Sequence, residues 1–140
     1  WEQYLIRKPV TNGMWIHRFR MEQRWLGRKD DPANDGFDEF KFENTFRYLI
    51  RRNFVLNQKY YAIVYDEIHL RFLTAEPEKI LDQNRLFAGI GINLDKNKLW
   101  RLEMGYMYQP VFKTSVDVEG KSRVNHALRV TVATDIPFAK

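Results

Sequence analysis

Residues 15–25 read Trp15-Ile16-His17-Arg18-Phe19-Arg20-Met21-Glu22-Gln23-Arg24-Trp25. In an extended chain, successive side chains point to opposite faces, so Trp15, His17, Phe19, Met21, Gln23 and Trp25 share one side. Ile16, Arg18, Arg20, Glu22 and Arg24 share the other. A period of two predicts a β-strand with one apolar and one charged face.

Working outward, the same alternation predicts seven strands, near 1–9, 14–26, 38–52, 59–73, 84–94, 99–110 and 123–136. All are long, since strands of soluble proteins run mostly about five or six residues. In the third, Phe40, Phe42, Asn44, Phe46, Tyr48 and Ile50 oppose Lys41, Glu43, Thr45, Arg47, Leu49 and Arg51. The fourth sets Tyr60, Ala62, Val64, Asp66, Ile68, Leu70 and Phe72 against Tyr61, Ile63, Tyr65, Glu67, His69 and Arg71. The later strands continue the pattern, with Arg85, Gly89 and Gly91, then Arg101, Glu103 and Gly105, then Arg129, on the polar side. The first strand is too short and mixed to orient.

A charged ladder results: Arg18, Arg20, Glu22, Arg24, Glu43, Arg47, Glu67, Arg71, Arg85, Arg101 and Glu103. Arg and Glu form bidentate pairs suited to a partly dry interior, whereas solvated faces of soluble barrels favour Lys and Thr. The three glycines on this face make room for long arginines across a lumen. The bulky apolar face suits lipid better than a small cavity. The competing arrangement is a soluble lipocalin-like ligand-binding barrel, with the apolar face inside and the ladder in water; alternation alone is symmetric under that exchange.

Connections alternate in length. Thr11-Asn12-Gly13 is a short turn, with Asn-Gly expected to supply the positive φ of a type I′ hairpin. Short turns also fall at Asn57-Gln58 and Asp95–Lys98, and longer links at 27–37, 74–83 and 111–122. Outer-membrane β-barrels alternate short periplasmic turns with long extracellular loops in this way. Trp15, Trp25, Phe40, Tyr60, Phe72, Trp100 and Tyr108 fall near strand ends on the apolar face, as two aromatic girdles would. Ten residues tilted at about 40° rise roughly 25 Å, the height of the lipid-facing band between girdles.

The 140 residues, 44% hydrophobic and 15% aromatic, suffice for one domain, residues 1–140, and exclude a disordered chain. No Cys is present, which removes disulfides and thiolate metal sites. No window of 18 apolar residues predicts a transmembrane helix. The net charge of +5 permits a polyanionic partner such as lipopolysaccharide, but interleaved Glu argues against nucleic acid. If Asp95–Lys98 is periplasmic, the C-terminus is periplasmic and the first strand starts outside, so at least one N-terminal strand is expected beyond this chain. Phe138 shares the parity of Val130 and Val132, as a terminal assembly aromatic would, although Ala139 and Lys140 follow it.

Three runs carry a resemblance: His17 to Trp25, Asp82-Gln83-Asn84-Arg85-Leu86-Phe87-Ala88-Gly89-Ile90-Gly91, and Leu102-Glu103-Met104-Gly105-Tyr106-Met107-Tyr108-Gln109. With Asn125-His126-Ala127-Leu128, they resemble the DUF2490 family over roughly residues 15–136. The resemblance implies a Bacteroidetes-type outer-membrane barrel of unknown function, longer at the N-terminus, and implies no catalytic residue.

The expected fold is therefore all-β, an antiparallel up-and-down transmembrane β-barrel in the bacterial outer membrane. Its expected role is that of a structural or accessory subunit of an outer-membrane assembly, its lumen filled by salt bridges because buried charges must be paired. Expected partners are outer-membrane lipid, lipopolysaccharide and other outer-membrane proteins. Excess Arg over Glu leaves open an anion-preferring pore. An outer-membrane hydrolase or acyltransferase is the third possibility, with His17, His69, His126, Ser115, Ser122, Asp66 and Glu67 as candidate parts in no recognisable motif. No catalytic, cofactor or metal residue is assigned. Asn44, Asp66 and His126 interrupt the apolar face and suit a protein contact there, or, at Asp66, a β-bulge.

Overall fold

A computed structural model describes residues 1–28, 39–72, 81–112 and 123–135. Seven antiparallel strands follow one another in a meander: β1 (Glu2–Val10), β2 (Gly13–Arg28), β3 (Glu39–Val55), β4 (Tyr60–Phe72), β5 (Leu81–Asn93), β6 (Trp100–Val111) and β7 (Arg123–Thr134). Each pairs with its sequence neighbours in the order β1-β2-β3-β4-β5-β6-β7, which leaves β1 and β7 as edges of an open sheet. No helix occurs among the described residues.

The pairings carry the faces from strand to strand. Arg18 lies opposite Leu49, Leu49 opposite Glu67, and Glu67 opposite Arg85, so one face stays continuous across β2 to β5. Leu5 opposite Arg18 brings β1 into the same frame, with Leu5 and Arg7 on the charged side and Tyr4 and Ile6 on the other.

The sheet curls toward its charged face. Side chains meet there across intervening strands: Arg18 of β2 with Glu67 of β4, Arg51 of β3 with Glu103 of β6, and Tyr65 of β4 with Arg129 of β7. Such pairs touch only on a concave surface. The buried apolar residues Leu49, Tyr61, Ile63, Tyr65 and Phe87 are there too, with Met107 packed against them. The charged face is therefore not filled by ion pairs alone, because a small aromatic cluster occupies its centre. On the opposite, convex face, Val64, Leu86, Ile90, Met104, Leu128, Val130 and Val132 are exposed.

Three features differ from the sequence-based expectation. In the first hairpin, Val10 pairs with Gly13 around Thr11-Asn12. Neither turn residue has a positive φ; that conformation falls on Gly13 at 137°, where a Cβ would collide with the Asn53 carbonyl of β3. The turn is thus not type I′, which needs positive φ at both central residues, and close approach of β3 is what requires the glycine. Second, β5 begins at Leu81, so the end of the link expected at 74–83 is strand. Third, the register of β4 and β5 shifts between His69 and Leu70, not at Asp66, whose pairing with Ile50 and Leu86 is regular. His69 faces Gln83 while Leu70 faces Leu81, leaving Asp82 as the extra residue. A bulge re-aims a side chain, and Asp82 forms an ion pair with Arg71 at 2.7 Å.

The short turns at 11–12, 56–59 and 94–99 lie at one end of the sheet. Asn57 Oδ1 accepts from the Lys59 and Tyr60 amides at 2.9 and 2.8 Å. Asp95 Oδ1 accepts from the Trp100 amide at 2.7 Å, and Oδ2 from Asn97 at 3.0 Å. These backbone donors, Trp100 first, hold the Asp95 carboxyl below its ordinary range. The longer links expected at 27–37, 74–83 and 111–122 lie largely, and Phe138 wholly, outside the described residues.

Candidate functional site: the concave ion-pair network

Glu67 sits on the concave face, opposite Leu49 at the margin of the apolar cluster, with 3% of its surface exposed. Arg18 approaches its Oε1 at 2.7 Å and Arg47 at 3.4 Å, while Arg85 and His69 approach Oε2 at 3.5 and 3.3 Å. Those four residues come from β2, β3, β5 and β4, so one carboxylate ties together four strands. Burial of a carboxylate demands opposite charge and hydrogen bonds in compensation, and three guanidiniums supply both. A chain of amides supports the imidazole: Gln109 Nε2 donates to Gln83 Oε1, and Gln83 Nε2 donates to His69 Nδ1 at 3.0 Å.

Two further groups flank this hub. Glu22 receives Arg47 at 2.6 Å and Arg20 at 3.5 Å. Arg71 bridges Asp82 at 2.7 Å and Glu43 at 3.7 Å, and Arg24 donates to Thr45 Oγ1 at 2.9 Å. Toward the short turns, Arg51 grips Glu103 with both terminal nitrogens at 3.0 and 2.6 Å, and the Tyr61 hydroxyl adds a bond to the same carboxylate at 2.8 Å. Arg101 pairs with Asp135 at 2.8 Å. A bidentate Arg–carboxylate pair is geometrically specific and stronger than a single contact. Here it fixes β3 against β6 across the concavity.

All eleven residues of the predicted ladder lie on this face and take part in these contacts. Sequence reasoning assigned Arg51 and Arg129 to the face but not to the network; their parity was the available signal. It missed Asp82, because only the bulge turns that residue inward. The glycines make room as expected, but for rings: a Cβ at Gly91 would strike the Tyr61 ring, and one at Gly89 or Gly105 the Phe87 ring. Tyr65 and Phe87 stack with centroids 4.8 Å apart, and the Arg129 guanidinium lies 5.8 Å from the Tyr65 ring centroid.

On the convex face, Trp15, Tyr60 and Trp100 stand toward the short-turn end, and Trp25, Phe40, Phe72 and Tyr108 toward the other. Trp25 packs on Phe42 with centroids 4.9 Å apart, and Arg52 lies over Trp15 at 5.3 Å. Of the three residues expected to interrupt the apolar rows for a protein contact, His126 bonds to the Tyr106 hydroxyl, Asp66 leaves Oδ1 without a hydrogen bond, and Asn44 is buried. His17 bonds to the Tyr48 hydroxyl at 2.9 Å on the same face. The histidines are therefore on separate faces, only His69 near Glu67. Ser115 and Ser122 lie outside the described residues.

This geometry defines a class: an all-β antiparallel meander with an apolar convex face and an ion-paired concave one. The sequence model of a family described as "Protein of unknown function (DUF2490)" matches residues 1–120, and the chain belongs to that family. The description carries no enzymatic name. No curated protein and no solved structure matches the chain.

Proposed function

We propose that the protein is a β-barrel of the bacterial outer membrane, built with a salt-bridged lumen and serving as a structural or accessory subunit of a larger assembly. The observation that carries this is the sidedness of the sheet. Its concave face spends the eleven ladder residues, together with Arg51, Asp82 and Arg129, on contacts within the face, while its convex face exposes Val, Leu, Ile and Met in continuous rows. Soluble monomers rarely expose contiguous apolar patches larger than a few hundred Å². Lipid removes that liability. A lipocalin-like soluble barrel requires the reverse curvature, with the apolar rows inside.

The cross-lumen pairs support a filled interior over an open channel, because Arg51–Glu103 and Arg129–Tyr65 span the concavity. Closure of the two edges, through further strands or a partner, belongs to the same proposal, as does placing the short turns and β7's end in the periplasm. Membrane fractionation with heat-modifiable gel mobility tests it. The expected result is an outer-membrane fraction whose unboiled form migrates anomalously; a detergent-free soluble monomer would overturn it. Absence of unitary conductance in planar bilayers would further support the filled lumen over the pore.

A further inference from the structure

At the short-turn end of the concave face, side chains from β1, β2, β3, β6 and β7 line a half-open cavity of about 320 Å³. Five arginines line it, Arg7, Arg18, Arg51, Arg101 and Arg129, against the two carboxylates Glu103 and Asp135. Both carboxylates are already engaged, Glu103 by Arg51 and Asp135 by Arg101. Arg18 turns away to Glu67. Arg7 and Arg129 are thus left with no carboxylate among the described residues.

Their surroundings differ usefully. Arg129 donates Nη1 to the Tyr65 hydroxyl at 2.6 Å and Nε to Thr131 Oγ1 at 3.0 Å, and the stacked Tyr65 and Phe87 rings lie beneath it. That leaves Nη2 uncommitted on a guanidinium held in place. The Arg7 side chain makes no hydrogen bond among the described residues and is exposed to the cavity from the β1 edge. Two uncompensated guanidiniums in one concavity repel each other, and a small anion between them reverses the sign of that interaction. Tetrahedral oxyanions match the planar fork of arginine.

We propose that this cavity binds a small free oxyanion of the phosphate or sulfate class, with Arg129 as the fixed arm and Arg7 as the adaptable one. The site faces inward, away from the apolar rows, so a free anion rather than a lipid headgroup is its ligand. It depends only on the concave cavity, so it stands whether or not the convex face meets lipid.

The test is a calorimetric titration of the full chain, in uncharged detergent and anion-exchanged buffer, with inorganic phosphate at constant ionic strength held by chloride. Saturable single-site binding is expected, weakened at least tenfold in Arg129→Gln and in Arg7→Gln and unchanged in Lys96→Gln, which lies in the turn outside the cavity. No saturable binding by the wild-type protein would overturn the site without reference to any variant. Full-strength binding by the folded Arg7→Gln/Arg129→Gln double variant would overturn it equally.

Discussion

Replacing Glu67 by Gln removes the one negative charge shared by Arg18, Arg47 and Arg85 while keeping the side chain's size. Glu67 is 3% exposed, and the three guanidiniums lie 2.7, 3.4 and 3.5 Å from its oxygens. Removing one partner of a buried ion pair costs about 3–5 kcal/mol, because the remaining charge is left uncompensated. Two facts set the value at the low end. Arg18 and Arg85 each keep 27% of their side-chain surface in solvent, and Arg47 retains Glu22 at 2.6 Å. The expected loss is therefore about 3 kcal/mol. Urea unfolding in lipid vesicles, followed by tryptophan fluorescence, reads it as a lower midpoint at unchanged slope. Adding Arg85→Gln should then recover about 1 kcal/mol, since Glu67 is that residue's ion-pair partner and the pair is coupled. A Glu67→Gln protein within about 0.5 kcal/mol of wild type, the range of an ordinary surface change, would refute the hub.

Other perturbations test other parts of the structure. Leu128, 87% exposed on the convex face of β7, should tolerate Arg in a soluble protein within about 0.5 kcal/mol. In a bilayer the same change costs about 2–4 kcal/mol near the midplane, measurable as a shifted unfolding midpoint in vesicles. Gly91→Val should cost about 1–3 kcal/mol by driving the Tyr61 ring off Glu103, and Tyr61→Ala in the same chain should return part of that loss. Because the Asp95 carboxyl is held below its ordinary value of 3.8, its stabilising effect is complete above that value and fades as pH falls through the lowered one. Asp95→Asn should therefore flatten the acid limb of the stability profile, and an unchanged limb would mean that the Asp95 carboxylate does not stabilise the turn.

Parity made most of the fold legible. Strand by strand, β2 to β7 place the same residues on each face that simple alternation assigns, because a period of two survives any regular antiparallel pairing. Parity fails where regularity does. Asp82 has the parity of the apolar face and reaches Arg71 only because an extra residue interrupts the β4–β5 ladder. The first hairpin fails for another reason: Asn12-Gly13 carries a strong local turn signal, yet the position of β3 assigns the positive φ to Gly13 alone. The candidate site was legible in membership but not in partnership. Arg51 and Glu103 are 52 residues apart, and their meeting depends on the depth of the curl, which composition and spacing do not encode. The aromatic cluster was hidden similarly, since Tyr61, Tyr65 and Phe87 share a face with the charged ladder and come together with Met107 of β6 only across strands.

If, as proposed, the convex rows meet lipid while the concave face is shielded from it, introduced thiols on the two faces of one strand differ in their access to water. The chain contains no Cys, so each introduced thiol is a unique reporter. Single cysteines at positions 128 to 132 of β7, in cells, should react with a small membrane-impermeant maleimide in a period-two pattern. Cysteines replacing Leu128, Val130 and Val132 are predicted to stay unlabelled until the membrane is dissolved, while those replacing Arg129 and Thr131 react from the half-open cavity that both positions line. Rapid labelling at 128, 130 and 132 in intact membranes would show that water, not lipid, covers the convex rows.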